Sequence, residues 1–165
     1  MTIDAGDGDD VIYNYEMASA ISVDAGAGND TIENYGALVT INAGDGDDSI
    51  QNEIGNYVSI SGGAGDDTIF NYGENVTIDG GDGNDTIKNY GAFATILAGD
   101  GDDSIYSDSD ATGSSIYGGD GADIISNSGD SVTIDGGDGA DTIANYGSNV
   151  TINAGAGNDS IFNYG

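Results

Sequence analysis

Val76–Gly91 reads VTIDGGDGNDTIKNYG, three aspartates and four glycines among β-branched residues, and the phrase returns with small changes at Val132–Gly147 (VTIDGGDGADTIANYG) and Val150–Gly165 (VTINAGAGNDSIFNYG). Aligned on the second glycine of its acidic turn, nine copies cover the chain, at Gly6, Gly26, Gly44, Gly63, Gly81, Gly99, Gly119, Gly137 and Gly155, 18 to 20 residues apart. A short fixed period is the signature of a solenoid, in which each unit packs mainly on its neighbours. The expected fold is therefore all-β: a single domain over 1–165 of nine coils of about 18 residues, each with two short strands and two turns. Met1 leads straight into a repeat and Gly165 stops inside one, so the expectation is a segment of, or repeat unit in, a longer array.

Alternation along the strands gives three inward ladders. One runs Ile21, Val39, Val58, Val76, Ala94, Ser114, Val132, Val150; the second runs from Ile3 and Val23 through Ile41, Ile60, Ile78, Ile96, Ile116 and Ile134 to Ile152. The third runs Ile12, Ile32, Ile50, Ile69, Ile87, Ile105, Ile125, Ile143, Ile161. Two residues beyond it, alternation turns inward an Asn in eight coils (Asn14, Asn34, Asn52, Asn71, Asn89, Asn127, Asn145, Asn163) and Ser107 in the other. Stacked amides can hydrogen-bond up and down such a ladder. The Tyr and Gly that follow, as in Tyr72-Gly73 and Tyr90-Gly91, read as a stacked aromatic and a turn residue, or more sharply as a sugar-binding stripe interrupted at Glu53, Asp108 and Ser128.

Composition narrows the function. The chain holds one Lys, no Arg, no His and 30 acidic residues, a formal charge of −29. Such a charge opposes a compact state and argues against nucleic acid and anionic membranes as partners. No apolar run approaches spanning length, so membrane insertion is not expected. Without Cys there is no disulfide and no thiolate metal site. Without His, Cys or Arg the usual nucleophile–base pairs are missing, and the expectation is a protein that is not an enzyme. Three apolar side chains per coil are a thin core against an ordering cost of about 1–2 kcal/mol per residue, so a further source of stability is expected.

The turn G/A-G-x-G-x-D supplies a candidate. Its last residue is Asp in all nine copies: Asp10, Asp30, Asp48, Asp67, Asp85, Asp103, Asp123, Asp141 and Asp159. Its fourth is always Gly, its third Asp or Ala, and its fifth Asp, Asn or Ala. Glycines let a backbone aim carbonyl oxygens at one point, and an all-oxygen set of six to eight donors is what Ca²⁺ takes. Zn²⁺ lacks its usual His and Cys here.

GGDGNDTIK at Gly80–Lys88 resembles the RTX, or haemolysin-type, calcium-binding nonapeptide G-G-x-G-x-D-x-U-x, and the resemblance extends over the whole chain. It implies a right-handed parallel β-roll with each Ca²⁺ between the turns of adjacent coils. The ligands it implies are the sixth-position Asp side chains of both turns and backbone carbonyls of positions one to four. Those carbonyl residues are Ala5, Gly6, Asp7 and Gly8; Ala25, Gly26, Ala27 and Gly28; Ala43, Gly44, Asp45 and Gly46; Gly62, Gly63, Ala64 and Gly65; Gly80, Gly81, Asp82 and Gly83; Ala98, Gly99, Asp100 and Gly101; Gly118, Gly119, Asp120 and Gly121; Gly136, Gly137, Asp138 and Gly139; and Ala154, Gly155, Ala156 and Gly157. The chain departs from the family in carrying the motif once per coil, the second turn being x-N-Y-G-x-x. One calcium-binding edge is therefore expected, with a single column of about eight ions.

The resemblance implies a structural module of a secreted bacterial protein, extracellular or at the cell surface, folding on calcium as a stalk, adhesin or accessory repeat domain. Exposed strand edges at the ends make end-to-end association into a calcium-stabilised filament an alternative. A receptor is not legible. A Thr/Ser stripe (Thr2, Ser22, Thr40, Ser59, Thr77, Thr95, Ser115, Thr133, Thr151) faces outward, and calcium-dependent ice-binding rolls use regular Thr arrays; an ordinary polar strand face is the plainer account. DSDATG at Asp108–Gly113 begins like an EF-hand loop, but its twelfth position is Gly119, not an acid. It reads as an insertion in the metal-free turn, as do the segments around Met17–Ala20 and Ile54–Tyr57.

Overall fold

A computed structural model describes residues 1–15 and 20–165. Of the first insertion, Met17 to Ser19 lie outside the described residues.

Among the described residues every regular element is a β-strand, and every strand pair is parallel. The β-branched triplet and the first half of the acidic turn form the first strand of a coil, such as Thr77–Asp82. The second strand is four residues long, such as Thr86–Asn89. The first strands stack into one sheet, in coil order from Thr2–Asp7 to Thr151–Asn153, where Ala156–Gly157 also pairs on the preceding coil. The second strands stack into the other sheet, from Val11–Asn14 to Ser160–Asn163. Register never slips: Ile78 lies beside Ile60 and Ile96, and Ile87 beside Ile69 and Ile105. The expected β-solenoid of nine coils is what forms.

The three apolar ladders meet between the sheets, as alternation requires. Ile32, Ile41, Ile50, Ile60, Ile69 and Ile78 are fully buried, and so are their equivalents as far as Ile134. At the end coils, Ile3, Val150 and Ile152 are only partly covered and Ile161 is half exposed. A fourth apolar row was not anticipated. The Ala at position one of the turn, valued in the sequence for its carbonyl, turns its methyl into this core at Ala25, Ala43 and Ala98.

The asparagine ladder also forms. Asn52 donates from Nδ2 to Asn71 Oδ1 at 2.8 Å, and Asn71 donates to Asn89 Oδ1 at 2.7 Å. The second amide hydrogen of Asn71 goes to the Gly73 carbonyl at 2.9 Å, and the Gly73 N–H returns to Asn71 Oδ1. Asn34, Asn52, Asn71, Asn127 and Asn145 thus each bond to their own turn and clip the next coil. Ser107 breaks the run, leaving its buried Oγ without a partner. On the outside of this turn Tyr72 and Tyr90 stack with centroids 4.7 Å apart and planes 6° apart, as do Tyr146 and Tyr164 at 5.0 Å. The rings cover each other's faces, which is where a sugar would have to stack.

Candidate metal centre

The acidic turn is built by the two glycines it carries in every copy, at positions two and four. Gly81 has φ +116° and Gly83 φ +130°, in the region L side chains rarely adopt. Each also passes so close to the coil before it that a Cβ would collide with the carbonyl of Gly63 or Gly65. Carbonyls of positions two and four therefore point along the stack towards the next coil. The position-three carbonyl points back, accepting the preceding coil's position-four N–H, as Asp82 O does from Gly65 at 2.8 Å.

The sixth-position aspartates stand in single file beneath these turns. From Asp30 to Asp141 they are at most 3% exposed. From Asp30 onward each carboxylate is held by one oxygen: the backbone N–H of Asp67 donates to Asp85 Oδ1 at 2.8 Å, and that of Asp85 to Asp103 Oδ1 at 2.7 Å. The same bond recurs at every step of the stack, from Asp10–Asp30 to Asp141–Asp159. The other oxygen has nothing. Oδ2 of Asp10, Asp30, Asp48, Asp67, Asp85, Asp103, Asp123 and Asp141 is buried and without a hydrogen-bond partner.

A buried anionic oxygen without a partner is costly, and the carboxyls register it. Burial, only partly offset by the N–H from the preceding coil, pushes Asp67 and Asp103 up to about 7. The same causes push Asp48, Asp85 and Asp123 up to about 6. Neighbouring aspartates in the column add to the rise. No three acidic side chains converge among the described residues. The remaining donors available to a cation here are backbone carbonyls, an all-oxygen set suited to Ca²⁺. The residues present therefore fit that ion.

Position five, which drew no role from the sequence, has one. Its side chain reaches in the opposite direction to that of position six. Asn84 N–H donates to Asp66 Oδ1 at 2.8 Å and Asp102 N–H to Asn84 Oδ1 at 2.9 Å, and the exposed ladder ends where Ala122 N–H meets Asp102 Oδ1. The restriction of this position to Asp and Asn in seven of nine copies was the available signal.

The other acidic loop is otherwise occupied. Asp108 accepts from Tyr106 Oη at 2.9 Å and from Ser109 Oγ at 3.0 Å. These bonds hold its carboxyl below the usual range and cap the inserted turn. A shallow groove of about 360 Å³ lined by Leu38, Tyr57 and their neighbours opens beside the metal-free turn and includes none of the column aspartates.

The model of the RTX calcium-binding nonapeptide repeat matches residues 2–14, 22–33, 61–88, 95–111, 114–131 and 135–163, more than half of the chain. The chain belongs to the RTX calcium-binding repeat family. No curated protein and no solved structure matches it. The RTX match skips residues 34–60, yet the turn at Ala43–Asp48 has the same glycine conformations and the same carboxylate link, from Asp48 N–H to Asp67 Oδ1 at 2.8 Å. RTX geometry thus continues through the unmatched stretch.

Proposed function

We propose that this RTX β-roll is the structural module of a secreted bacterial protein, part of a longer array, and that it folds when it binds Ca²⁺. The observation that carries the reading is the file of eight buried Oδ2 atoms with no partner. An ion between successive coils would be held by the sixth-position carboxylates of both turns and by carbonyls of positions one to four. Between the fifth and sixth coils these are Asp85, Asp103, and carbonyls from Gly80–Gly83 and Ala98–Gly101. Calcium supplies charge neutralisation and a bridge between coils. About eight ions would reduce the formal charge of −29 to about −13, mostly where the carboxylates crowd.

The family's calcium repeats, together with a fold whose interior is filled by side chains, support a stalk, adhesin or accessory role rather than catalysis. Abundant extracellular calcium supports a site of action outside the cell. Binding free energy that appears only in the folded chain becomes folding free energy. Circular dichroism through a calcium titration tests this: a β-signal is expected to appear with calcium and vanish with excess chelator. An unchanged β-signal after verified metal removal would overturn it.

A further inference from the structure

Position one of the acidic turn is Gly at Gly62, Gly80, Gly118 and Gly136, and Ala in the other five coils. None of these four glycines has a positive φ, so conformation does not require them. What distinguishes them is space. A methyl built on Gly62 would lie 2.5 Å from the Gly80 carbonyl oxygen, and closer still to Asp67 Oδ2. On Gly136 it would lie 2.5 Å from Asp141 Oδ2, and closer still to the Ala154 carbonyl. Real Cβ atoms essentially never come under 3.0 Å. In the glycine coils two oxygens therefore lean into a slot that in the alanine coils is filled by a methyl, fully buried at Ala25, Ala43 and Ala98. Both are candidate calcium ligands: the coil's own aspartate and the next coil's position-one carbonyl.

We infer that position one sets two classes of calcium site in this column, the alanine coils binding more tightly and filling first. This rests on the calcium reading above. In an alanine coil the methyl would deny the carboxylate this slot, although its Oδ2 is buried and without a partner there too, as at Asp30, Asp48 and Asp103. In a glycine coil the carboxylate has an inward resting place, and drawing it to an ion leaves a methyl-sized void, which is unfavourable. Alanine also restricts the unfolded chain more than glycine does, so both effects favour the same coils. Ala5, Ala25 and Ala43 are consecutive, and the first three coils form the block that calcium orders first.

The test is a calcium titration, by calorimetry and by circular dichroism, of the chain and two variants. One carries Gly62→Ala, Gly80→Ala, Gly118→Ala and Gly136→Ala; the other carries Ala25→Gly, Ala43→Gly and Ala98→Gly. The first is expected to lower the half-saturating calcium concentration at least about threefold, and the second to raise it by as much. Midpoints equal within experimental error, or shifts of the opposite sign, overturn the inference while leaving calcium binding intact. If one variant fails to fold in saturating calcium, the sign of the other's shift decides. Absence of calcium binding by the unsubstituted chain would instead overturn the proposed function.

Discussion

Each column aspartate does two jobs with two oxygens, and only one job is complete. Oδ1 ties the coil to the one before it, and Oδ2 waits in a buried position. Metal-free, the carboxyls of Asp48, Asp67, Asp85, Asp103 and Asp123 hold protons more tightly in the coil than in the unfolded chain. They add stability below about pH 4 and withdraw it as the pH rises through 6 to 7. In chelator, the β-signal is accordingly expected to be stronger at pH 5 than at pH 8, and circular dichroism at the two values checks it. Calcium competes with the same protons, so calorimetry in buffers of different ionisation enthalpy should register proton release at pH 6 that fades by pH 8. Asp85→Asn separates the two jobs. The amide oxygen can still accept the Asp67 N–H, but the charge is lost. Folding in saturating calcium should survive while the midpoint rises several-fold, as read by titration.

Among the elements, the metal-free turn is held by the hydrogen bonds of its asparagine ladder, which makes that ladder sensitive to mutation. Asn71→Ala would leave the Asn52 amide and the Gly73 N–H without their acceptor. It is expected to cost about 1–3 kcal/mol by denaturant unfolding in calcium. Ile87→Ala, in the adjoining ladder, is expected to cost about 2–5 kcal/mol by the same measurement. This scale also shows what the sequence could and could not disclose. Strand positions, register and the inward Ile and Asn rows were legible because a period of two repeated in nine coils leaves one consistent solution. The invariant Asp and Gly of the turn were legible for the same reason. The inward methyl of Ala43 follows the same alternation, two residues beyond Ile41 in one strand, but glycine at position one in four of the coils hides the row. The Asn29–Asp47 clip was missed because it joins residues 18 apart through a backbone N–H, which no side-chain pattern advertises.

At the scale of the molecule, stability has a direction. Every strand pairs only with the coil before and the coil after, and the two side-chain ladders of the acidic turn run along the stack in opposite senses. The ladder bonds lie along the axis of the stack. A load applied to the two ends of the chain would therefore act on one coil at a time and peel it away. Each coil let go would lengthen the chain by about 60 Å, given roughly 18 residues at 3.3–3.6 Å each. Held in optical tweezers, the protein should give an evenly spaced sawtooth in calcium and slack in chelator. The roll would then behave as an extensible tether whose stiffness is set by the ion concentration around it.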